Sequence, residues 1–384
     1  MTRTHWLTQE RARLYSQVAI ICLASIVISW LLYSKNTVDA QGRPLGADFI
    51  TFWGASYLGL QGRAHEAYDL ARIYAAEQVA VPALKVRFAW FYPPAFHLLV
   101  LPLALLPYLL SYLAFILSTL AAYVAVLRQI VRAPLAMWCL AGFSGVWLNA
   151  VQGQNAFLTA AIAGAALVHL ERRPAMAGAL VGLLAIKPHL ATLFPLALLA
   201  IGAWRAIGAA AATALAVTGL SIVVLGTPVS SAFLGGLAMA REALESGDLP
   251  WSKMPSVFAS LRLLGASLTT AYLAHVTVAC AALVLVWRAW RHHADARLRN
   301  AILMTATFFA SPYVYDYDLV WLAFPAAWYV SYAREHGWRR LDREIVVCVW
   351  LLPIAVANLL LVFPLPVGPL VLGALMSVLV RRLP

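Results

Sequence analysis

Long apolar stretches joined by short basic loops leave this chain very few ways to fold. Leu14 to Ser34 carries no charged residue, and comparable runs recur toward the C-terminus; 63% of the 384 residues are hydrophobic and 11% charged. Backbone N–H and C=O groups cannot stay unpaired in hydrocarbon, so such runs cross a bilayer as helices or close into a barrel. The runs lack the period-2 alternation of lipid-facing strands, which excludes the barrel. The expected fold class is all-α polytopic membrane protein, a single integral-membrane unit over 1–384 without an internal repeat or a separate soluble domain.

Charge sets the expected orientation. The net charge is +12, and the arginines gather in short loops: Arg128 and Arg132, Arg172 and Arg173, Arg288 to Arg299, Arg334 to Arg343, Arg381 and Arg382. That is a positive-inside pattern that draws anionic lipid headgroups, not a nucleic-acid surface. Arg3, Arg11 and Arg13 precede the first apolar run, whose length suits a retained signal-anchor. Further spans are expected near Pro94–Leu127, Pro134–Asn149, Phe157–Leu170, Ala175–Ile186, Leu190–Ala203, Ile207–Leu225, Ser267–Trp287, Ala301–Ala310, Leu319–Tyr332, Ile345–Val362 and Val367–Val380. With the first run this makes about 12 crossings, both termini cytoplasmic. Pro102 and Pro107 would divide 94–127 into a short tilted or re-entrant piece and a full span.

The unusual polar groups then fall on the side opposite the arginines. The first outer loop, 35–94, should hold two interfacial helices, about Asp48–Gln61 and Ala64–Val81; Phe49, Phe52, Trp53 and Tyr57 give the first an aromatic face suited to the headgroup plane, and Gly62 stops it. A second large polar loop spans 227–266. Cys22, Cys139, Cys280 and Cys348 show no disulfide or metal spacing and read as small core residues.

Several residues could carry chemistry, each beside a plainer role. Asp48 can cap the helix it opens, accepting from Ile50 or Thr51, or act as a general base whose pKa partial desolvation raises. Lys187 interrupts an apolar segment and is followed by Pro188 and His189. An ammonium there costs roughly 2.5–3.5 kcal/mol on insertion scales, so it faces a cavity or an anion unless it snorkels. Gln154 and Asn155, after Gly153, either cap a helix or hydrogen-bond sugar hydroxyls or phosphate. Asp316 and Asp318 stand among Tyr313, Tyr315 and Tyr317; caps and an aromatic belt explain them, as would stacking on a sugar. Two carboxylates fall short of a metal site, and no cofactor is expected. Tyr92-Pro93-Pro94 fixes how the next span begins. Glu66, Asp69, Arg262, Lys253 and the Arg241–Asp248 run read as solvated charges, with Arg262 and Lys253 also available to phosphate.

Taken in order, these pieces resemble glycosyltransferase family 87: Gly46-Ala-Asp48-Phe with Phe52-Trp53, Tyr68-Asp69, Phe91-Tyr-Pro-Pro94, Pro102-Leu103, Leu106-Pro107, Gly153-Gln-Asn155, Ala177-Gly178, Lys187-Pro188 and Tyr315-Asp-Tyr-Asp318-Leu. The resemblance implies a GT-C-like helix bundle in a bacterial-type inner or plasma membrane, with its active site on the extracytoplasmic face. It implies transfer of a hexose, mannose by the family's example, from a polyprenyl-phosphate sugar donor to a glycolipid or glycan acceptor. Asp48 then takes the family's catalytic aspartate position. Charge and placement put Lys187 and His189 at the donor phosphate, with Tyr92, Gln154, Asn155, Tyr313, Asp316 and Asp318 as substrate contacts. A flippase for lipid-linked sugars would instead show pseudo-symmetric halves and midplane charges, and a polysaccharide ligase would use a diphosphate-linked donor. The transferase reading requires Asp48 and Lys187 to converge on one compartment.

Overall fold

The computed structural model describes residues 5–292, 294–359 and 365–383. Arg3 and the end of the expected Ile345–Val362 span lie outside the described residues. Among these residues there is no β-strand, only isolated bridges joining Lys35 to Val38 and Val38 to Pro44. The helices run α1 (Gln9–Tyr33), α2 (Phe49–Leu60), α3 (Leu70–Ala80), α4 (Pro94–Val100), α5 (Tyr108–Ile130), α6 (Pro134–Ala141), α7 (Ser144–Gln152), α8 (Ala156–His169) and α9 (Pro174–Leu183). They continue as α10 (Phe194–Ala200), α11 (Trp204–Leu225), α12 (Pro228–Ser246), α13 (Val257–Leu263), α14 (Leu268–Arg291), α15 (Ala296–Ala310), α16 (Ala323–His336), α17 (Asp342–Asn358) and α18 (Gly368–Val380).

By length and composition α1, α5, α11 and α14 are each able to cross a membrane, and α6 with α7 makes a further candidate bent by 49°. Most other expected spans correspond to shorter helices, because prolines and 3₁₀ turns cut them. Pro94 and Pro107 start α4 and α5, dividing the 94–127 run as the prolines require. Lys187 sits extended between two 3₁₀ turns, Leu184–Ile186 and Pro188–Leu190.

Three sequence expectations change. α2 does not present its aromatic face outward: Phe49 through Ser56 and Leu58 are all buried, so protein surrounds it. The second loop helix breaks at Asp69, which is exposed as expected and also accepts from the N–H groups of Ala71 and Arg72, capping α3. The 227–266 loop is largely helical, carrying α12 and α13. The cysteines also differ: Cys22, Cys280 and Cys348 are exposed, because in a chain this apolar the outer helix surfaces are hydrocarbon-like as well as the core.

Close helix contacts rest on small residues, as expected where lipid offers no hydrophobic gain. α9 presents Gly178 and Gly182, four residues apart, to α11. A Cβ at Gly178 would stand 2.0 Å from the Ala206 carbonyl oxygen, and one at Gly182 would stand 2.5 Å from that of Ala210. The arginine clusters collect at one end of the bundle. Arg381 and Arg382 bind Asp342 there, and Arg299 meets Glu171 beyond the end of α8. Asn155 stands at the other end of that helix, and fourteen residues at the usual rise separate the two by about 21 Å.

Replacing Gly178 or Gly182 by leucine is expected to lower stability by about 1–3 kcal/mol through overpacking. The same change at Gly219 on α11, whose Cβ would meet nothing within 4 Å, should be nearly neutral. Thermal unfolding of the purified protein in detergent checks both, and equal losses at all three sites would refute the close-packing account.

Candidate active site

Two turns meet at the end of the bundle away from the arginines. Gly46 and Ala47 both take positive φ, 83° and 35°, and swing the chain into α2. Ala47 carries a Cβ in that region, so the turn is held by its surroundings rather than by local preference. Across from it Gly153 ends α7 with φ 64°. A Cβ there would stand 2.3 Å from the Gly46 carbonyl oxygen and 2.5 Å from Phe49 Cβ, so only glycine lets the turns abut. The Asp48 N–H donates to the Gln152 carbonyl at 3.1 Å and locks them together.

This contact turns the Asp48 side chain away from its own helix. It makes no capping bond; instead Oδ2 accepts from Gln154 Nε2 at 2.6 Å. The hydroxyl of Tyr92 donates to Gln154 Oε1 at 2.8 Å, so a tyrosine orients the amide that orients the carboxylate. Asn155 does not cap α8 either. Asn149 Oδ1 accepts from the Ala156 N–H in its place, leaving Asn155 Oδ1 to accept from Lys187 Nζ at 3.3 Å. Adjacent residues of one turn thus touch Asp48 and Lys187.

Lys187 is not a free cation. Nζ donates to Asp318 Oδ1 at 2.5 Å, and the two side chains are 3% and 1% exposed. Asp318 Oδ2 accepts from the Tyr315 N–H, which fixes the start of the 3₁₀ turn Asp316–Leu322. Asp316 faces other partners, Oδ1 accepting from the Tyr317 N–H at 2.8 Å and from Gln152 Nε2 at 3.3 Å. Tyr315 stacks on Tyr317 with centroids 5.2 Å apart, and Tyr313 meets His189 edge-on at 5.6 Å. Asp48, Tyr92, Gln152, His189 and Tyr313 are half-buried, whereas Gln154, Asn155, Lys187, Asp316 and Asp318 are sealed. The first group keeps partial exposure; the second is enclosed by protein and holds it in place.

Burial raises the Asp48 carboxyl above its ordinary range, opposed by the Gln154 hydrogen bond and by the charges of Lys253 and Lys187. Asp316 is pushed up to about 7 by burial, with Lys253 and Gln152 acting against the rise. A cavity of about 530 Å³ lies elsewhere, between the beginning of α1, α6, α16 and the beginning of α17. It is lined by apolar side chains with Arg334 and Arg343 at its edge, and it contains none of the residues named above.

Sequence reasoning missed Asn149, Gln152 and Glu77. Glu77 is wholly buried on α3, both carboxylate oxygens lack a partner among the described residues, and burial pushes it up to about 9. Its spacing from Ile73 and Ala76 put it on the apolar face of that helix, a signal present in the pattern.

Comparison with known proteins gives one match. A family model described as glycosyltransferase family 87 matches residues 90–312, more than half of the chain. It includes Gln154, Asn155, Lys187 and His189 and stops short of Asp48 on one side and of Tyr313, Asp316 and Asp318 on the other. No curated protein and no solved structure matches.

Lys187→Met alone should cost about 3–5 kcal/mol, since it leaves Asp318 buried and unpaired. Adding Asp318→Leu should recover much of that loss in thermal unfolding. Glu77 holds its proton to about pH 9 when folded and releases it near 4.5 when unfolded. Folding therefore takes up a proton between those values, so stability falls as pH rises through that window. Glu77→Gln should flatten the slope in melts collected across it, and an unchanged slope counts against Glu77 as its source.

Proposed function

The chain belongs to glycosyltransferase family 87 and is a glycosyltransferase rich in membrane-type helices, and from that premise we propose that the Asp48 recess transfers a hexose, mannose by the family's example, from a polyprenyl-phosphate donor to a glycolipid or glycan acceptor. The recess would face the extracytoplasmic side, opposite the arginine-rich end. The reaction needs one bond made and one broken. The acceptor oxygen attacks the anomeric carbon, its proton passes to Asp48, and the C1–O bond electrons leave with the lipid phosphate, inverting the centre.

One observation carries the reading. The Asp48 carboxylate does not cap its helix but is held through Oδ2 by Gln154, while Oδ1 accepts no hydrogen bond among the described residues. An oriented, half-buried carboxylate with one oxygen free is what a general base requires. Tyr92 and Tyr313, both half-buried, are the aromatic rings we assign to contact with the sugar. Asn155, Asp316 and Asp318 shape its wall and do not touch substrate in this scheme. With Lys187 bonded to Asp318, we assign its ammonium to holding Asn155 and the aromatic turn, and the direct donor contact to His189 beside Tyr313.

Asp48→Asn should reduce sugar transfer by about 10²–10⁴-fold, the usual worth of a general base, while polyprenyl phosphate still binds. Assay of the purified variant with labelled polyprenyl-phosphate mannose, glucose and arabinose measures this; full activity removes Asp48 from the base role. Movement of the lipid-linked sugar between leaflets with no new glycosidic bond would favour a flippase. Since a raised pKa leaves the base protonated to higher pH, the acidic limb of the rate profile should lie above the ordinary carboxylate range. Gln154→Ala, which removes a bond favouring the ionised form, should move that limb further up.

A further inference from the structure

The cavity of about 530 Å³ between α1, α6, α16 and α17 contributes nothing to the chemistry at Asp48. It follows α16 from Ala323 to Arg334, and eleven residues at the usual rise make it about 17 Å long. That is close to the depth of hydrocarbon in one leaflet of a bilayer, half of about 30 Å. The end away from Arg334 is closed by Leu322, which is fully buried. Along the walls Leu135, Ala327 and Val346 are only half-buried, so the slot is open on its side rather than enclosed. Water would gain little there, since apolar cavities stay dry and the Ser16 hydroxyl on the wall already donates to the Ala12 carbonyl.

Charge enters this slot at one end. Among the described residues Arg334 and Arg343 are the charged side chains that line it, and no carboxylate faces them from its walls. The acidic residues beside them in sequence are engaged elsewhere. Glu335 binds Arg297, Asp342 is held by Arg381 and Arg382, and Glu344 pairs with His5 and accepts from the Trp6 indole. Arg343 donates to the Leu7 carbonyl at 3.3 Å and lies 5.0 Å over the Trp338 ring, which fixes its guanidinium at the mouth. Arg334 makes no hydrogen bond or ion pair among the described residues. Two guanidinium groups without a counter-ion therefore stand at the basic end of a long apolar slot.

We propose that this slot binds one anionic glycerophospholipid, with an acyl chain lying along α16 and the headgroup phosphate at Arg334 and Arg343. The planar guanidinium fork matches phosphate oxygens in pairs, and basic pockets between membrane helices hold anionic headgroups. The chain supplies the apolar surface that the walls lack, and the phosphate supplies the missing counter-charge. A lipid-linked sugar is the poorer occupant, because its phosphate would then lie at the arginine-rich end, away from Asp48. The site goes beyond the sugar-transfer reading and does not depend on it.

The experiment titrates the purified full chain in detergent with phosphatidylglycerol and with phosphatidylcholine of the same acyl chains. Bound lipid is counted by native mass spectrometry, and thermal unfolding is followed beside it. Wild type should bind phosphatidylglycerol roughly tenfold or more tightly than phosphatidylcholine, and should melt at a higher temperature with it. Arg334→Gln combined with Arg343→Gln should bring the two lipids to equal affinity. Arg334→Gln alone, at an exposed side chain, should lose part of the preference while its lipid-free melting stays at wild type, which separates lost binding from misfolding. Ala327→Phe keeps both arginines but fills the slot, and it should lose the preference as well. Equal affinity for the two lipids in wild type, or wild-type phosphatidylglycerol binding in the double variant or in Ala327→Phe, would overturn the site. So would inorganic phosphate raising the melting temperature as far as phosphatidylglycerol does, or equimolar polyprenyl phosphate displacing the phospholipid.

Discussion

The contact between the Gly46–Asp48 turn and the Gly153–Asn155 turn is the constraint from which the rest of the site follows. Neither turn has a conformation that ordinary residues adopt readily, and each blocks the other from relaxing. Their abutment fixes the entry of α2, the end of α7 and the beginning of α8 at a single point. It also explains why neither Asp48 nor Asn155 caps its helix. Both side chains are turned across the junction, where Gln154 and Lys187 meet them.

Behind that junction the Lys187–Asp318 pair joins elements far apart in sequence. Burying two charges is expensive, and such a pair adds little net stability over an apolar replacement. What it supplies is position: it ties the break after α9 to the aromatic turn before α16, and Asn155 takes part in the same bond set. Asp48, by contrast, forms no ion pair among the described residues and is held by Gln154. It keeps an oxygen that accepts no hydrogen bond among the described residues.

Much of the architecture was legible because the physics was local. Apolar length and the prolines at 94, 107, 134 and 188 mark helix starts or breaks that recur in the structure. Gly153 was noticed only as the residue before Gln154, although its positive φ and its contact with Gly46 matter more. α12 went unread because its polar residues suggested a loop, and the burial of α2 went unread because an aromatic face serves a protein interior as well as a headgroup layer. Gln152 looks in sequence like any polar residue on a helix, whereas the place of Glu77 on the apolar face of α3 was visible in the pattern and was passed over.

By itself the sequence determined that the chain is helical and of membrane type, that its basic loops segregate from its polar motifs, and that Asp48 and Lys187 were worth watching. Those properties depend on composition and on residues close together along the chain. The tertiary structure decided which carboxylate is free and which is neutralised. Pairing between residues 131 positions apart, such as Lys187 and Asp318, leaves no local signature. Only folding brings such groups within hydrogen-bond reach, and only then is Lys187 committed to Asp318 and Asn155.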